Sequence, residues 1–499
     1  MLTEQMEERR ALRRHYWRAR FVLLIIFLML LSALFGLYNH YKPIPQGLNF
    51  ASVNHIVNLD DMSFLADTTY QSGNDRLKEQ KIFNTAMAQI AQAQQYILVD
   101  MFLFNDAGRR LQPDRLMGRE LTELLLAKKQ ANPDIKIDLL LDPINTFYSS
   151  VHPDDIERLK TAKINVIEVD LEKLRDNNPF YSGPWRLLFS WLGTKGFGWI
   201  VQPFDGKGEK STVRAYLEML NFKADHRKIF LCDDGQRLVT IIGSMNVHGL
   251  SADNSNAAWL IKGSFGTDVY RAEQAVAQLS GQSLSILPDN LQTDQTPGKN
   301  HYGQVRLLTE GRIREEIIKT IQMAQPGDTL DFALFYLSER ALIKEILAAS
   351  GRGVNIRLIL DPNKDAFGYQ KSGIPNRAVA DELVTQSGRK IVVRWYDTRG
   401  EQFHSKFLLW HSLSNNSITM IAGSANFTKR NLDNFNLEAD VAIKLPDREP
   451  QASQLQQYYD RLWNNQDGVY TDDYSVYSEQ NWLKYWWYRF GEGSGLSSY

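Results

Sequence analysis

One short unit occurs twice in this chain, and it constrains the fold more than any other feature. His226 and Lys228 lie in ADHRKIFLCDDG, with Asp233 following and Gly243-Ser244-Met245-Asn246 beyond it. His404 and Lys406 lie in QFHSKFLLWHSL, followed by Gly423-Ser424-Ala425-Asn426. The repeat extends past these motifs. Ile135 to Pro143 corresponds to Val354 to Pro362, KINVIEVDL around Val166 to KIVVRWYDT around Val393, and YILVDMFLF around Val99 to TLDFALFYL around Phe332. Buried strands alternating with helical stretches of ten or more residues predict an α/β fold with a parallel or mixed sheet in each half. Two such lobes facing each other across a pseudo-two-fold axis would bring both His-x-Lys strands together.

The residue types suggest a chemistry. Alternate side chains of a strand share a face, so a His and a Lys two apart point the same way. A phosphodiester needs donors around its non-bridging oxygens, a nucleophile, and an acid for the leaving oxygen. Lys228, Lys406, Ser244, Ser424, Asn246 and Asn426 can supply the cradle. The two imidazoles can divide the other roles, one attacking phosphorus and one acting as acid and then base. This scheme calls for no cofactor, and no motif residue has zinc-type spacing.

HxKxxxxD followed by GSxN, present twice, resembles the phospholipase D superfamily. The resemblance implies two tandem phospholipase-D-like α/β lobes, a phosphohistidine intermediate, and catalytic roles for His226, Lys228, Asp233, His404 and Lys406. Two positions depart from the pattern. Position 411, where the second copy should carry an Asp, is His411. Downstream, Asp253-Asn254-Ser255-Asn256-Ala257-Ala258 aligns without a gap to Asp433-Asn434-Phe435-Asn436-Leu437-Glu438. The resemblance implies an acid at the last of these positions that orients a catalytic His, and only Glu438 is present. Local sequence assigns Glu438 to His404, whereas the resemblance implies that the nucleophile is His226.

The chain has 499 residues, 43% hydrophobic and 23% charged, enough for two globular cores. The expected organisation is a basic N-terminus over 1–20, a transmembrane helix over 21–38, a first lobe over 50–284, a linker over 285–302, a second lobe over 303–470, and an aromatic-rich segment over 471–499. The linker assignment rests on Pro288, Asn290, Gln292, Thr293, Asp294, Pro297 and Gly298. Phe21 to Tyr38 is uncharged and spans about 27 Å as a helix. No small-x-small cleavage site follows it, so an uncleaved anchor is expected in place of a signal peptide. Arg9, Arg10, Arg13, Arg14, Arg18 and Arg20 precede it and only Lys42 follows closely, which puts the N-terminus in the cytoplasm and the lobes on the outer side of the inner membrane.

Asp142 to Lys228 is 86 residues, against 45 from Asp361 to Lys406, so the first lobe carries about 41 extra residues. This insertion, about 172–212, contains Phe180, Trp185, Trp191, Phe197 and Trp199 among Arg186, Lys195 and Lys207. Trp482, Trp486, Trp487 and Phe490 near the C-terminus are similarly mixed with Lys484 and Arg489. Aromatic rings beside basic groups suit a membrane headgroup zone. Cys232, the only cysteine, reads as a small buried hydrophobe. The expected partners are a phospholipid substrate and a membrane, with cardiolipin-synthase-like phosphatidyl transfer or hydrolysis to phosphatidic acid as the reaction. The alternatives are a nuclease and a catalytically decayed lipid-binding protein. A net charge of −1, from 57 basic and 58 acidic residues, gives the nuclease no support.

Overall fold

The computed structural model describes residues 2–106, 113–202, 208–291, 301–366, 369–479 and 481–497. Lys207, Gln292, Thr293, Asp294, Pro297 and Gly298 lie outside them. The chain opens with helix α1 (Leu2–Tyr41), in which the basic N-terminus and the apolar span are one continuous rod. It is long and apolar enough to cross a membrane.

The first sheet comprises β2 (Met62–Ser72), β3 (Asp75–Glu79), β4 (Tyr96–Met101), β5 (Lys136–Leu141), β6 (Asn165–Glu168), β7 (Lys228–Asp233), β8 (Leu238–Gly243) and β9 (Asn256–Lys262). Its order is β3-β2-β9-β8-β7-β4-β5-β6. The second comprises β1 (His55–Asn58), β10 (Tyr302–Thr309), β11 (Thr329–Leu334), β12 (Asn355–Leu360), β13 (Val392–Tyr396), β14 (Lys406–Ser412), β15 (Ser417–Gly423), β16 (Ala439–Pro446) and β17 (Thr471–Asp473). Its order is β1-β10-β16-β15-β14-β11-β12-β13-β17. With the edge strands β1, β3 and β17 set aside, the two orders coincide. So do the directions, which are antiparallel up to β4 or β11 and parallel from there to the end.

Strands buried on both faces explain the continuous apolar runs. In β7, Ile229 and Leu231 enter a core shared by the two lobes, while Phe230 and Cys232 pack outward against α2 (Ile82–Gln92) and α3 (Met117–Ala131). In β14, Phe407 and Leu409 enter the same shared core, while Leu408 and Trp410 pack against α6 (Gly311–Met323) and α7 (Arg340–Arg352). Helices α5 (Phe265–Leu279) and α8 (Pro450–Trp463) contribute to the shared layer.

The lobe boundaries differ from the sequence expectation in three places. Residues 50–58 sit on the second sheet, because β1 pairs with the edge of β10 and Ala51 bridges Leu308. Thr471–Asp473 completes the far edge of that sheet, so the C-terminal segment begins inside the second lobe. Leu287 and Leu291, in the expected linker, are buried in the shared core, and the Ser285 hydroxyl donates to Asp138. Isolated leucines among polar neighbours are enough to hold residues 285–291 to the body.

Candidate active site

Both His-x-Lys strands start at the seam between the lobes. The His226 amide donates to the Leu437 carbonyl (2.9 Å), and the Leu437 amide to the Ala224 carbonyl (3.0 Å). In the mirrored arrangement the His404 amide donates to the Ser255 carbonyl (2.9 Å), and the Ser255 amide to the Gln402 carbonyl (3.0 Å). Each His is therefore strapped to the other lobe. Buried carboxylates fix the preceding residue in each copy: Asp142 accepts from the Asp225 amide (2.7 Å) and Asp361 from the Phe403 amide (2.8 Å). The repeated Leu-Asp-Pro ending of β5 and β12 is the sequence trace of this support.

The seam corrects the assignment of Glu438. Its Oε2 lies 3.0 Å from Nδ1 of His226, in the opposite lobe, and not on His404. The His404 Nδ1 instead faces Asn256 Oδ1 at 3.1 Å. The gapless alignment is out by two residues. Gly243 pairs with Ala258 and Gly423 with Asp440, so the counterpart of Glu438 is Asn256 and that of Ala258 is Asp440. The first copy thus has an amide where the second has a carboxylate. Because each HxK strand pairs across the seam, the group that follows GSxN in one lobe serves the imidazole of the other.

Hydrogen bonding fixes the protonation of both rings. Glu438 accepts from Ser424 Oγ (2.5 Å) and from Asn431 Nδ2, so it meets His226 as an acceptor and Nδ1 of His226 carries the proton. Asn256 donates through Nδ2 to the Asn254 carbonyl (3.0 Å), which turns its Oδ1 toward Ser244 Oγ and His404. Both imidazoles therefore keep a lone pair on Nε2. Burial, followed by the charge of Lys228, holds the His226 imidazole well below its ordinary pKa; burial followed by Lys406 does the same for His404. Lys406 also acts on His226 and Lys228 on His404, so the two pairs share one electrostatic space. Burial pushes the Glu438 carboxyl up to about 7 against the pull of Lys228, and brings Lys228 down to about 8.

The remaining expected residues divide between the site and its supports. Lys228 and Lys406 are buried and donate to the carbonyls of His226 (2.5 Å) and His404 (2.6 Å). Asn246 and Asn426 are buried beside them, and their Oδ1 atoms have no partner among the described residues. The Ser244 and Ser424 hydroxyls are directed at Asn256 and Glu438, so these serines orient the imidazole partners instead of facing a substrate oxygen. Asp233 is not at the site. It ends β7 and accepts from the amides of Gln94, Gln95, Tyr96 and Gly235. In the second lobe that task passes to Asp328, which precedes β11 and accepts from the Leu413 amide (2.9 Å), the Gln325 amide (3.0 Å) and the Trp410 indole (3.0 Å). His411 can replace the motif Asp because the carboxylate has moved to the neighbouring strand.

Two further residues belong to the site. The Phe102 ring lies 4.9 Å from that of His226 and 5.0 Å from the Lys228 ammonium. The Phe335 ring lies 5.1 Å from that of His404 and 5.2 Å from the Lys406 ammonium. Each ring holds a lysine by its π-face and walls one imidazole. The signal was a Phe directly after β4 and β11 in both repeats. Among the described residues no group of three or more His, Cys, Asp or Glu could hold a metal ion.

Residues 317–463 match a sequence family described as "Cardiolipin synthase, PLD-like domain". The second lobe carries a phospholipase-D-like domain. That range includes His404, Lys406, Ser424, Asn426 and Glu438. No curated protein sequence matches the chain. Among solved structures, the phosphatidylserine synthase of Haemophilus influenzae aligns over 90% of this chain and 97% of its own, with a TM-score of 0.55 and 13% identity, and shares the fold. The polyphosphate kinase of Porphyromonas gingivalis aligns over 80% of this chain and 50% of its own (TM-score 0.41, 12% identity). The phospholipase D family member Nuc of Salmonella typhimurium aligns over 34% of this chain and 97% of its own (TM-score 0.26, 21% identity).

Proposed function

We propose that the chain is a membrane-anchored enzyme acting on phospholipid phosphodiesters through a phosphohistidine, built from two phospholipase-D-like lobes related by a pseudo-two-fold axis. The observation that carries this reading is the unequal pairing across the seam, with a carboxylate on His226 and an amide on His404. A carboxylate on Nδ1–H makes Nε2 of His226 the better nucleophile and stabilises the charge the ring acquires on attack. Nε2 attacks phosphorus, the bond to the leaving oxygen breaks, and His404 delivers a proton to that oxygen. His404 must first be protonated, and the negative charge of a bound phosphodiester offsets the lysines that oppose this. In the second step neutral His404 takes a proton from water or an alcohol, the new oxygen attacks, and the P–N bond breaks. Lys228, Lys406, Asn246 and Asn426 hold the non-bridging oxygens. Transfer to a lipid alcohol, as in cardiolipin synthesis, is the favoured outcome. The N-terminus lies in the cytoplasm and the lobes outside.

Incubating detergent-solubilised protein and its His404→Ala variant with labelled phosphatidylglycerol tests this. Cardiolipin formed only by the unaltered chain is expected, and phosphatidic acid alone would make it a hydrolase. No lipid turnover, with cleavage of single-stranded DNA or RNA, would overturn the lipid reading.

A further inference from the structure

The insertion in the first lobe is tied to the apolar half of α1. Its helix α4 (Pro179–Leu188) runs antiparallel to α1, with Gly36 against Pro179 and Gly183 against Ser32 so closely that an added Cβ at either glycine would collide with the opposing carbonyl. Ser32 and Gly36 form a small-xxx-small pair, the pattern that lets helices approach in lipid. Most of the apolar span is exposed; Gly36 within it and Asn39 just past its end are buried. Ser32 lies six residues inside Tyr38, about 9 Å below the end of the span. Five residues further along α4, Leu188 reaches about 16 Å, near the middle of a hydrocarbon core about 30 Å thick.

We propose that α4 and the loop running on to Trp199 are a re-entrant membrane element packed on α1, and that the active site opens onto the leaflet this element enters. The proposal rests on α1 crossing the bilayer. A solvent-facing role does not suit the surface of this element, where Phe180 is 81% exposed, Trp191 72% and Phe197 80%. Its one helical charge is drawn back toward the rim: Arg186 pairs with buried Asp176 at 2.6 Å and donates to the Glu172 carbonyl, while the Asp176 amide donates to the Asn39 carbonyl at the end of the span. Its N-terminus is capped by Asn178, which accepts from the Tyr181 amide.

The same elements reach the rim of the site. The His40 ring, at the outer end of α1, lies 5.1 Å from that of Phe435, three residues before Glu438. Helix α9 (Trp482–Ser494) meets the insertion where Asn177 donates to the Gly495 carbonyl, and its Glu492 accepts from the Lys429 amide (2.7 Å), three residues past Asn426. The outer side of α9 carries Trp486 and Trp487, the latter 68% exposed. Anchor, insertion and α9 thus adjoin the segments that carry Glu438 and Asn426 and have apolar outer surfaces, and in this proposal a phosphodiester headgroup reaches the histidines sideways from the leaflet.

Nitroxide labels on cysteines placed one at a time at Leu28, Trp191 and Leu413, in Cys232→Ala protein in phosphatidylglycerol nanodiscs, test the proposal through accessibility to oxygen and to a water-soluble nickel chelate. Leu28 and Trp191 are expected to be oxygen-accessible and protected from nickel, with Leu413 the reverse. A nickel-accessible label at Trp191 beside a protected one at Leu28 overturns the re-entrant element and leaves the anchor standing. Both labels in water would remove the anchor as well. If Trp191→Cys does not fold, Phe180→Cys takes its place. Independently, Trp191→Glu should lower turnover of bilayer phosphatidylglycerol about tenfold or more, and that of a short-chain soluble analogue less than about twofold; equal losses on both would overturn the sideways entry.

Discussion

The two lobes share a backbone plan and differ in what lies behind their histidines. Behind His226 lies a buried ionic cluster: Arg227 donates to Glu273 (2.9 Å) in its own lobe and to Glu310 (2.6 Å) in the second, with Asp100 and Asp225 close by. At the matching positions the second lobe has Ser405, Ala333 and Phe403, all buried. The ionic cluster extends to the seam, because Glu310 also accepts from the Glu438 amide (3.2 Å). Arg227 and Glu310, one from each lobe, therefore help position the carboxylate that meets His226. The two frames match in strand order and direction, and they differ in a few buried side chains.

The largest effects should come from the histidines. His226→Ala and His404→Ala are each expected to lower turnover of a natural lipid about 10³-fold or more. A substrate with a good leaving group separates them: His404→Ala should still form a phospho-enzyme and His226→Ala should not, as read by trapping labelled phosphate on the protein. Trapping by His226→Ala would reverse the roles.

Next in size is the ionic cluster. Arg227→Met leaves buried carboxylates uncompensated and should destabilise by about 3–5 kcal/mol in chemical denaturation, whereas Ser405→Ala should change stability by less than about 1 kcal/mol. Similar costs would mean that the cluster is not what distinguishes the lobes.

Glu438→Gln should reduce turnover about ten- to a hundredfold by weakening the orientation of His226. The pH profile sharpens this. In the unaltered chain, activity should fall as pH drops through about 7, where Glu438 takes up a proton and stops accepting from His226, and fall again above about 8 as Lys228 loses its charge. Glu438→Gln should lose the acid limb and move the alkaline one to lower pH, because the Glu438 charge supports that of Lys228. Persistence of the acid limb would assign it to another group.

The smallest effect is expected at position 411. His411→Asp should be tolerated, while Asp328→Ala, which leaves buried donors unpaired, should cost about 1–3 kcal/mol. A large loss in His411→Asp would give that side chain a role of its own.

These contrasts also mark what the sequence could show. The paired motifs, the alternating strands and the equivalence of Asp142 with Asp361 were legible, because repetition and period-2 burial leave linear traces. The partner of Glu438 was not. A linear alignment treats each copy separately, whereas the structure pairs each histidine with the other copy through backbone bonds at Leu437 and Ser255. The transfer of the Asp233 role to Asp328 was hidden for a similar reason, since the carboxylate lies near in space but on a different strand. The edge strands β1 and β17 are short, and nothing in their composition says which sheet they join.

The seam has a consequence for how the protein is made. Synthesis runs from α1 onward, so this helix and the first lobe emerge well before β14, β15 and Glu438. Until then His226 has no carboxylate partner, and β1 has no β10 to pair with. A nascent or truncated chain can carry a complete His-x-Lys strand and still lack the partner that completes the candidate site. The candidate site is complete only when the second half of the chain has been made and folded.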